Sequence, residues 1–294
     1  VKGPLKKLDI NGEVYLDSSY LVSVPYGIKM RFADDPVLIR NSHIEFENFE
    51  LFASNGSPLD ISGYLDFSNL DRMRLDARMQ ARNFQIINAK KNPRSEVYGK
   101  AFVDFMGRIS GPLDNLQMGG KLDVLGNTDM TYVVRDGTLA TDTELKDLVQ
   151  FTDFIDSTVD VVKRPDITGF TMGLAVDIDE QTHVLCALNA DQSNYIDFIG
   201  GGNLQLNYDP TNGVQVRGRY TLSEGKMKYS LPVIPLRTFN IQDGSYVEFT
   251  GDPMRPTLNI TATEDVRTSV SNGTGEGRIV DFKCGVSLTR QFPK

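Results

Sequence analysis

The sequence predicts an all-β fold: an elongated, mainly antiparallel sheet with one short amphipathic helix. Apolar residues alternate with polar ones along most of the chain, turn-forming pairs punctuate the alternation, and a single segment follows helical spacing.

The first strand faces are Ile10/Val14/Leu16, Tyr26/Ile28/Met30/Phe32 and Ile61/Leu65/Phe67. In the next stretch Met73, Leu75, Ala77, Met79 and Ala81 alternate with Arg72, Arg74, Asp76, Arg78, Gln80 and Arg82, and charges at that spacing must face water. Ala101/Val103/Phe105/Ile109 and Leu122/Val124 continue the series. From Thr141 to Asp156 the period changes: Leu145, Leu148, Val149, Phe151 or Thr152, and Ile155 follow helical spacing, with Thr141 or Asp142 as cap and Glu144 close behind, which predicts a helix near 142–156. Strands resume with Phe170, Met172, Leu174, Val176 and Ile178, then Leu204/Leu206/Tyr208, Val214/Val216/Gly218/Tyr220/Leu222 and Leu258/Ile260/Ala262.

Turn signals lie between them: Asp34-Asp35-Pro36, Asn55-Gly56, Asn92-Pro93, Asp136-Gly137, Asp209-Pro210, Asn212-Gly213, Glu224-Gly225, Asp243-Gly244 and Gly251-Asp252-Pro253. This spacing suits antiparallel hairpins, since parallel crossovers would each need a helix. A weak repeat pairs Gly3-Pro4-Leu5 through Val14 with Gly111-Pro112-Leu113 through Leu122, and Gly251-Asp252-Pro253 begins a looser copy. Reuse of one turn-to-strand unit suits a sheet that grows along one axis.

At 294 residues the chain can bury a real core, and 40% hydrophobic with 24% charged residues is a globular balance. The net charge of −8 excludes the basic stripe that grips nucleic-acid phosphates. No run of apolar residues has the length of a spanning helix, and Val1-Lys2-Gly3-Pro4 lacks the apolar core of a signal peptide. The absence of an initial methionine suggests a fragment of something longer.

Catalytic and metal chemistry find little support. Cys186 and Cys284 share no metal spacing with each other or with His43 and His183; Cys186, in Val184-Leu185-Cys186-Ala187-Leu188, reads as a small hydrophobe, and its pairing with Cys284 is not required. The histidines lack a serine elbow or carboxylate motif. Asp177-Ile178-Asp179-Glu180 lacks the spaced oxygens and glycine of a calcium loop, and Asn272-Gly273-Thr274-Gly275-Glu276-Gly277 lacks the lysine of a phosphate cradle. Asn55, Asn259 and Asn272 begin formal glycosylation sequons, which matter only where the source glycosylates. No enzyme and no cofactor is expected. What remains is the apolar side of successive strands, which either closes into a sandwich or barrel core, the commoner outcome, or lines an open trough.

From about Pro165 the chain resembles the C-terminal domain of the TamB (translocation and assembly module B) family, in the form of its Bacteroidetes-like members. The resemblance is carried by Tyr195-Ile-Asp-Phe-Ile-Gly-Gly-Gly-Asn-Leu-Gln-Leu-Asn-Tyr-Asp-Pro210, by Val216-Arg-Gly-Arg-Tyr-Thr-Leu-Ser-Glu-Gly-Lys-Met-Lys-Tyr229, and by Phe239-Asn-Ile-Gln-Asp-Gly-Ser-Tyr-Val-Glu-Phe-Thr-Gly-Asp-Pro253 followed by Pro256-Thr-Leu-Asn-Ile-Thr-Ala262. Residues 1–140 resemble the strand repeats of the wider AsmA-like superfamily. The expected organisation is therefore a repeat region at 1–140, helix and linker at 141–163, and a truncated TamB-like β domain at 164–294, without the family's anchor or its partner-docking tail.

The resemblance implies a sheet curled into a taco-like hydrophobic groove, a periplasmic conduit that moves phospholipids between inner and outer membranes, in a protein anchored in the inner membrane and working with an outer-membrane barrel partner. The expected occupants are phospholipid acyl chains or detergent, lined by Met172, Leu174, Val176, Leu204, Leu206, Val214, Val216, Tyr220, Leu258 and Ile260. The helix at 142–156 would plug or cap the groove. The competing reading is a scaffold that offers its groove or strand edges to unfolded barrel segments. A glycan-degrading enzyme or adhesin would need clustered surface carboxylates and aromatics, which the sequence does not display.

Overall fold

The computed structural model describes residues 9–23, 27–92, 95–133, 169–187, 192–229, 237–253, 255–271 and 277–291, which form one sheet of 18 strands. In chain order these are β1 (Gly12–Val14), β2 (Tyr20–Ser23), β3 (Ile28–Phe32), β4 (Val37–Arg40), β5 (His43–Phe52), β6 (Pro58–Asp66), β7 (Arg74–Ala89), β8 (Val97–Pro112), β9 (Gln117–Val124), β10 (Asp129–Val133), β11 (Thr171–Ile178), β12 (His183–Ala187), β13 (Tyr195–Asp209), β14 (Gly213–Tyr229), β15 (Arg237–Ile241), β16 (Ser245–Gly251), β17 (Thr257–Ser271) and β18 (Gly277–Gln291). Among the described residues the one helical turn is the 3-10 segment Leu70–Arg72. The helix expected at 142–156 lies outside the described residues.

Pairing follows the alternation. Strands β5 to β8 form an antiparallel meander, with β3 and β4 on β5, β2 on β3 and β1 on β4. Strand β8 then pairs with β9 along its second half and β10 along its first. Here the expected hairpin pattern gives way, because β9 is parallel to β11 and β10 is parallel to β12. A parallel junction needs a crossover of about a dozen residues or more, and residues 134–170 supply that length. Beyond it β11 and β12 both pair with β13, β13 with β14, β14 with β15 and β16, those two with β17, and β17 with β18, all antiparallel.

Two turn signals prove to be something else. Asp209-Pro210 and Asn212-Gly213 do close a hairpin, with Asp209 Oδ1 accepting from the Thr211 and Asn212 amides at 2.9 and 2.8 Å. Glu224-Gly225, however, lies inside β14, and Asp243-Gly244 joins β15 to β16, which run the same way along β14. Both mark a place where the sheet bends instead of reversing. The repeated glycine of the turn motif recurs in shape, since Gly111 and Gly251 both take positive φ, at 132° and 154°.

These irregularities line up. In β7 the register jumps between Ala81 and Phe84, where Asn83 adopts φ 46°. At the same level the chain breaks between β9 and β10, between β11 and β12, and between β15 and β16, while the β13/β14 register shifts between Ile199 and Gly200. Hydrogen bonds connect the breaks: Leu125 N donates to Phe102 O at 2.9 Å, His183 N to Thr128 O at 3.0 Å, Gly200 N to Thr182 O at 3.1 Å, and Gln242 N to Thr261 O at 2.7 Å. A crease thus runs across the strands from β7 to β17, and extra residues on one side of a ladder are what bend it. The Gly200-Gly201-Gly202 run lies on it because a Cβ there would strike the carbonyls of Thr221, Ile178 and Arg219.

The bend closes toward the apolar face. One buried cluster joins Tyr220, Leu222 and Ile260 from above the crease to Met227, Phe239, Ile241 and Ala262 from below it. A second joins Ala53, Ala81, Phe84 and Val103, with Met30 of β3 folded against them. The opposite face is charged: Lys121 sits 2.8 and 2.7 Å from Asp123 and Asp177, and Arg219 lies 3.2 Å from Glu248. Exposed pairs of this kind are screened by water and contribute little to stability. Lys121 relieves a local conflict, since Asp104, Asp123 and Asp177 lie directly opposite one another.

Candidate functional site

Residues directly opposite in neighbouring strands share a face, so the register identifies what the apolar side is made of. One row runs Phe32, Leu51, Leu59, Ala81, Phe105, Leu122, Val176, Leu204, Gly218, Phe249. It crosses ten strands without a polar side chain, and at about 4.8 Å per step it is about 43 Å long. A neighbouring row continues Ile61, Met79, Gly107, Gly120, Leu174, Leu206, Val216 and Gly251. On the other side of the first row lie Phe84, Val103, Val124, Ile178, Gly202, Tyr220, Val247 and Leu258.

All ten sequence-predicted residues fall on this one face. Leu174, Val176, Tyr220 and Ile260 are buried, whereas Met172, Leu204, Leu206, Val214, Val216 and Leu258 are half-buried. Met172, opposite Tyr208, shares the row of Val214, and Ile260 follows Leu258 by two positions. The set covers only the β11 to β17 part. Phe105, Leu122 and Met79 belong to it equally and were visible as strand faces of the same period.

Below the crease the face continues through Cys186, Ile196, Met227 and Phe239, which lie opposite one another. Met227 could not be assigned by counting, because Ser223 is an extra residue in β14 and shifts the parity after Leu222. Cys186 is a half-buried free thiol, and burial pushes its pKa up, which suits a small apolar residue rather than a nucleophile.

In the three rows given above the one hydroxyl belongs to Tyr220; it is buried, donates to Gly200 O at 2.7 Å, and has its pKa raised by that burial. The histidines stand elsewhere. His183 bridges two strands on the charged face, Nδ1 at 2.8 Å from Asp129 and Nε2 at 2.6 Å from Asp197. Burial works against its charged form, and the two carboxylates outweigh that and raise its pKa. With one carboxylate from each neighbouring strand on its two ring nitrogens, it is a clip between strands. Asp177 is held by Lys121, and Asp179 Oδ1 caps the turn by accepting from Gln181 N at 2.8 Å. The glycine-rich loop at 272–276 lies outside the described residues. Among the described residues no group of His, Cys, Asp and Glu is arranged to hold a metal ion, and no helix is long and apolar enough to cross a membrane.

The fold and site define a class: a β-sheet protein that presents a creased, continuous apolar face. The chain matches the TamB C-terminal domain over residues 47–289, and it belongs to the TamB family. That match begins well before the segments that suggested the resemblance. The family is a transport and assembly module that spans the periplasm, associated with outer-membrane protein assembly or lipid transport. No curated protein matches the chain.

Proposed function

We propose that the creased face is a conduit for phospholipid acyl chains between the inner and outer membranes, with Met172, Leu174, Val176, Leu204, Leu206, Val214, Val216, Tyr220, Leu258 and Ile260 among its lining. The row of apolar side chains across ten strands supports this reading. Each acyl CH₂ taken from water contributes about 0.8 kcal/mol, so two chains exposed in an aqueous gap cost on the order of 20 kcal/mol. A floor that repeats the same chemistry at every step removes most of that cost without a deep well in which a lipid would stop. Its length of about 43 Å exceeds the depth of one leaflet, half of a hydrocarbon core about 30 Å thick.

The test is extraction of the purified chain followed by lipid mass spectrometry, alongside photo-crosslinking from position 206. Co-purifying phospholipid that crosslinks at 206 supports the conduit. Crosslinks to polypeptide, with no lipid, would favour the scaffold for outer-membrane strands.

A further inference from the structure

The charged face carries a feature the conduit does not use. Two shallow depressions, of about 660 and 310 Å³, open on it and meet at Tyr64, which lines both. Tyr64 is 43% exposed, one of the few large apolar side chains among the described residues that are exposed away from the two ends of the sheet.

The register builds a row around that ring. Glu45, Tyr64, Asp76, Ser110, Gln117 and Thr171 lie directly opposite one another on six consecutive strands, each carrying a hydrogen-bonding group. Neighbours fix several of them. Arg108 Nε donates to Asp76 Oδ1 at 2.8 Å, Arg40 lies 2.7 Å from Glu45, and the His43 ring stands 5.7 Å from that of Tyr64. The charges are thereby balanced locally, which favours a neutral, hydroxyl-rich ligand over an anion or a cation. Planar ion pairs also present paired donors and acceptors to neighbouring hydroxyls.

We propose that this face binds an extended, neutral carbohydrate chain lying across the strands, with one sugar ring stacked on Tyr64. The row advances by about 4.8 Å per strand, a step comparable to one sugar in a flat, β-linked glycan, so successive sugars would each meet one polar side chain. A coiled α-linked chain would leave the row after one or two contacts. In a family that spans the periplasm, such a site would hold the sheet to a linear glycan while the opposite face stays free. The sequence does not display it, because Glu45, Tyr64, Asp76 and Gln117 come from four different strands and converge only through pairing.

The proposal does not depend on what the apolar face carries. The test is calorimetric titration of the purified chain with a β-linked N-acetylglucosamine hexamer and with an α-linked glucose hexamer. Binding of the β-linked hexamer alone is expected, weakened roughly tenfold by Tyr64→Ala and retained in Tyr64→Phe. Gln117→Ala should weaken it further, whereas Leu206→Asp, on the other face, should leave it unchanged. No binding of the β-linked hexamer, equal binding of both, or indifference to Tyr64→Ala in a chain with unaltered circular dichroism would overturn the proposal.

Discussion

The ring of Phe198 meets that of Tyr220 edge to face, with centroids 5.6 Å apart and planes at 74°. In the ladder Phe198 lies opposite Gly225 and Tyr220 opposite Gly202, so the two are separated by four residues of β13, about 13 Å of strand. Side chains that stand up from a flat sheet at that separation do not touch. The contact exists because the crease at Ile199/Gly200 folds the two halves of the strands together, and it defines the concave side.

Breaking this contact should loosen the crease without unfolding the strands. An edge-to-face pair is worth about 0.5–1.5 kcal/mol beyond its burial. A double-mutant cycle of Phe198→Ala and Tyr220→Ala, read by urea unfolding, should return a coupling energy in that range. Strict additivity would mean that the rings do not act together.

A charge on the floor should separate occupancy from stability. Val216 and Leu206 are half-buried and Leu174 is buried. Val216→Glu and Leu206→Asp place a carboxylate beside the proposed path and should strip co-purifying lipid with a modest drop in melting temperature. Leu174→Asp, which buries an unpaired charge, should cost several kcal/mol and show chiefly as lost folding. Unchanged lipid content in Val216→Glu would remove the floor from the mechanism.

The His183 clip should give stability a defined pH dependence. Its folded pKa lies above the unfolded value, so its contribution is complete below the ordinary histidine value of about 6.5 and fades as pH rises through the folded value. The stability difference between the native chain and His183→Ala should therefore be largest near pH 6 and shrink by pH 9. A difference that grows with pH would contradict the clip.

The hydroxyls of the crease are not equivalent. Thr128 Oγ1 accepts from Phe102 N at 3.1 Å, whereas Thr182 Oγ1 is buried without a hydrogen-bond partner among the described residues. Thr128→Val should cost about 1–3 kcal/mol and Thr182→Val should be neutral or stabilising, by thermal unfolding.

Backbone approach at the crease should be intolerant of even one carbon. A Cβ on Gly202 would run into the Arg219 carbonyl and the Tyr220 Cα. Gly202→Ala should destabilise the fold by about 1–3 kcal/mol, seen as a lower urea midpoint, while Gly213→Ser, in an open turn, loses only the ease of its φ of 67°.

Much of this was legible in advance. The alternation in Phe170 to Ile178 and in Val214 to Leu222 assigned each residue to a face correctly, because side-chain direction in a strand depends only on counting. Counting fails where a residue is inserted: at Asn83 and Ser223 parity changes, and Phe84 and Met227 join the floor from positions the pattern would send outward. Glu224-Gly225 and Asp243-Gly244 were legible as irregular backbone but not as bends, since reversal and bending ask for the same residues.

The sequence by itself determined the all-β class, the apolar face and its membership in a recognisable family, each a property of local order along the chain. Only the tertiary structure decided that β9 and β11 run parallel, that the breaks in separate strands align into one crease, and that Glu45, Tyr64, Asp76 and Gln117 share a row. Those depend on which strand becomes whose neighbour, and that choice is made by pairing between segments far apart in the chain.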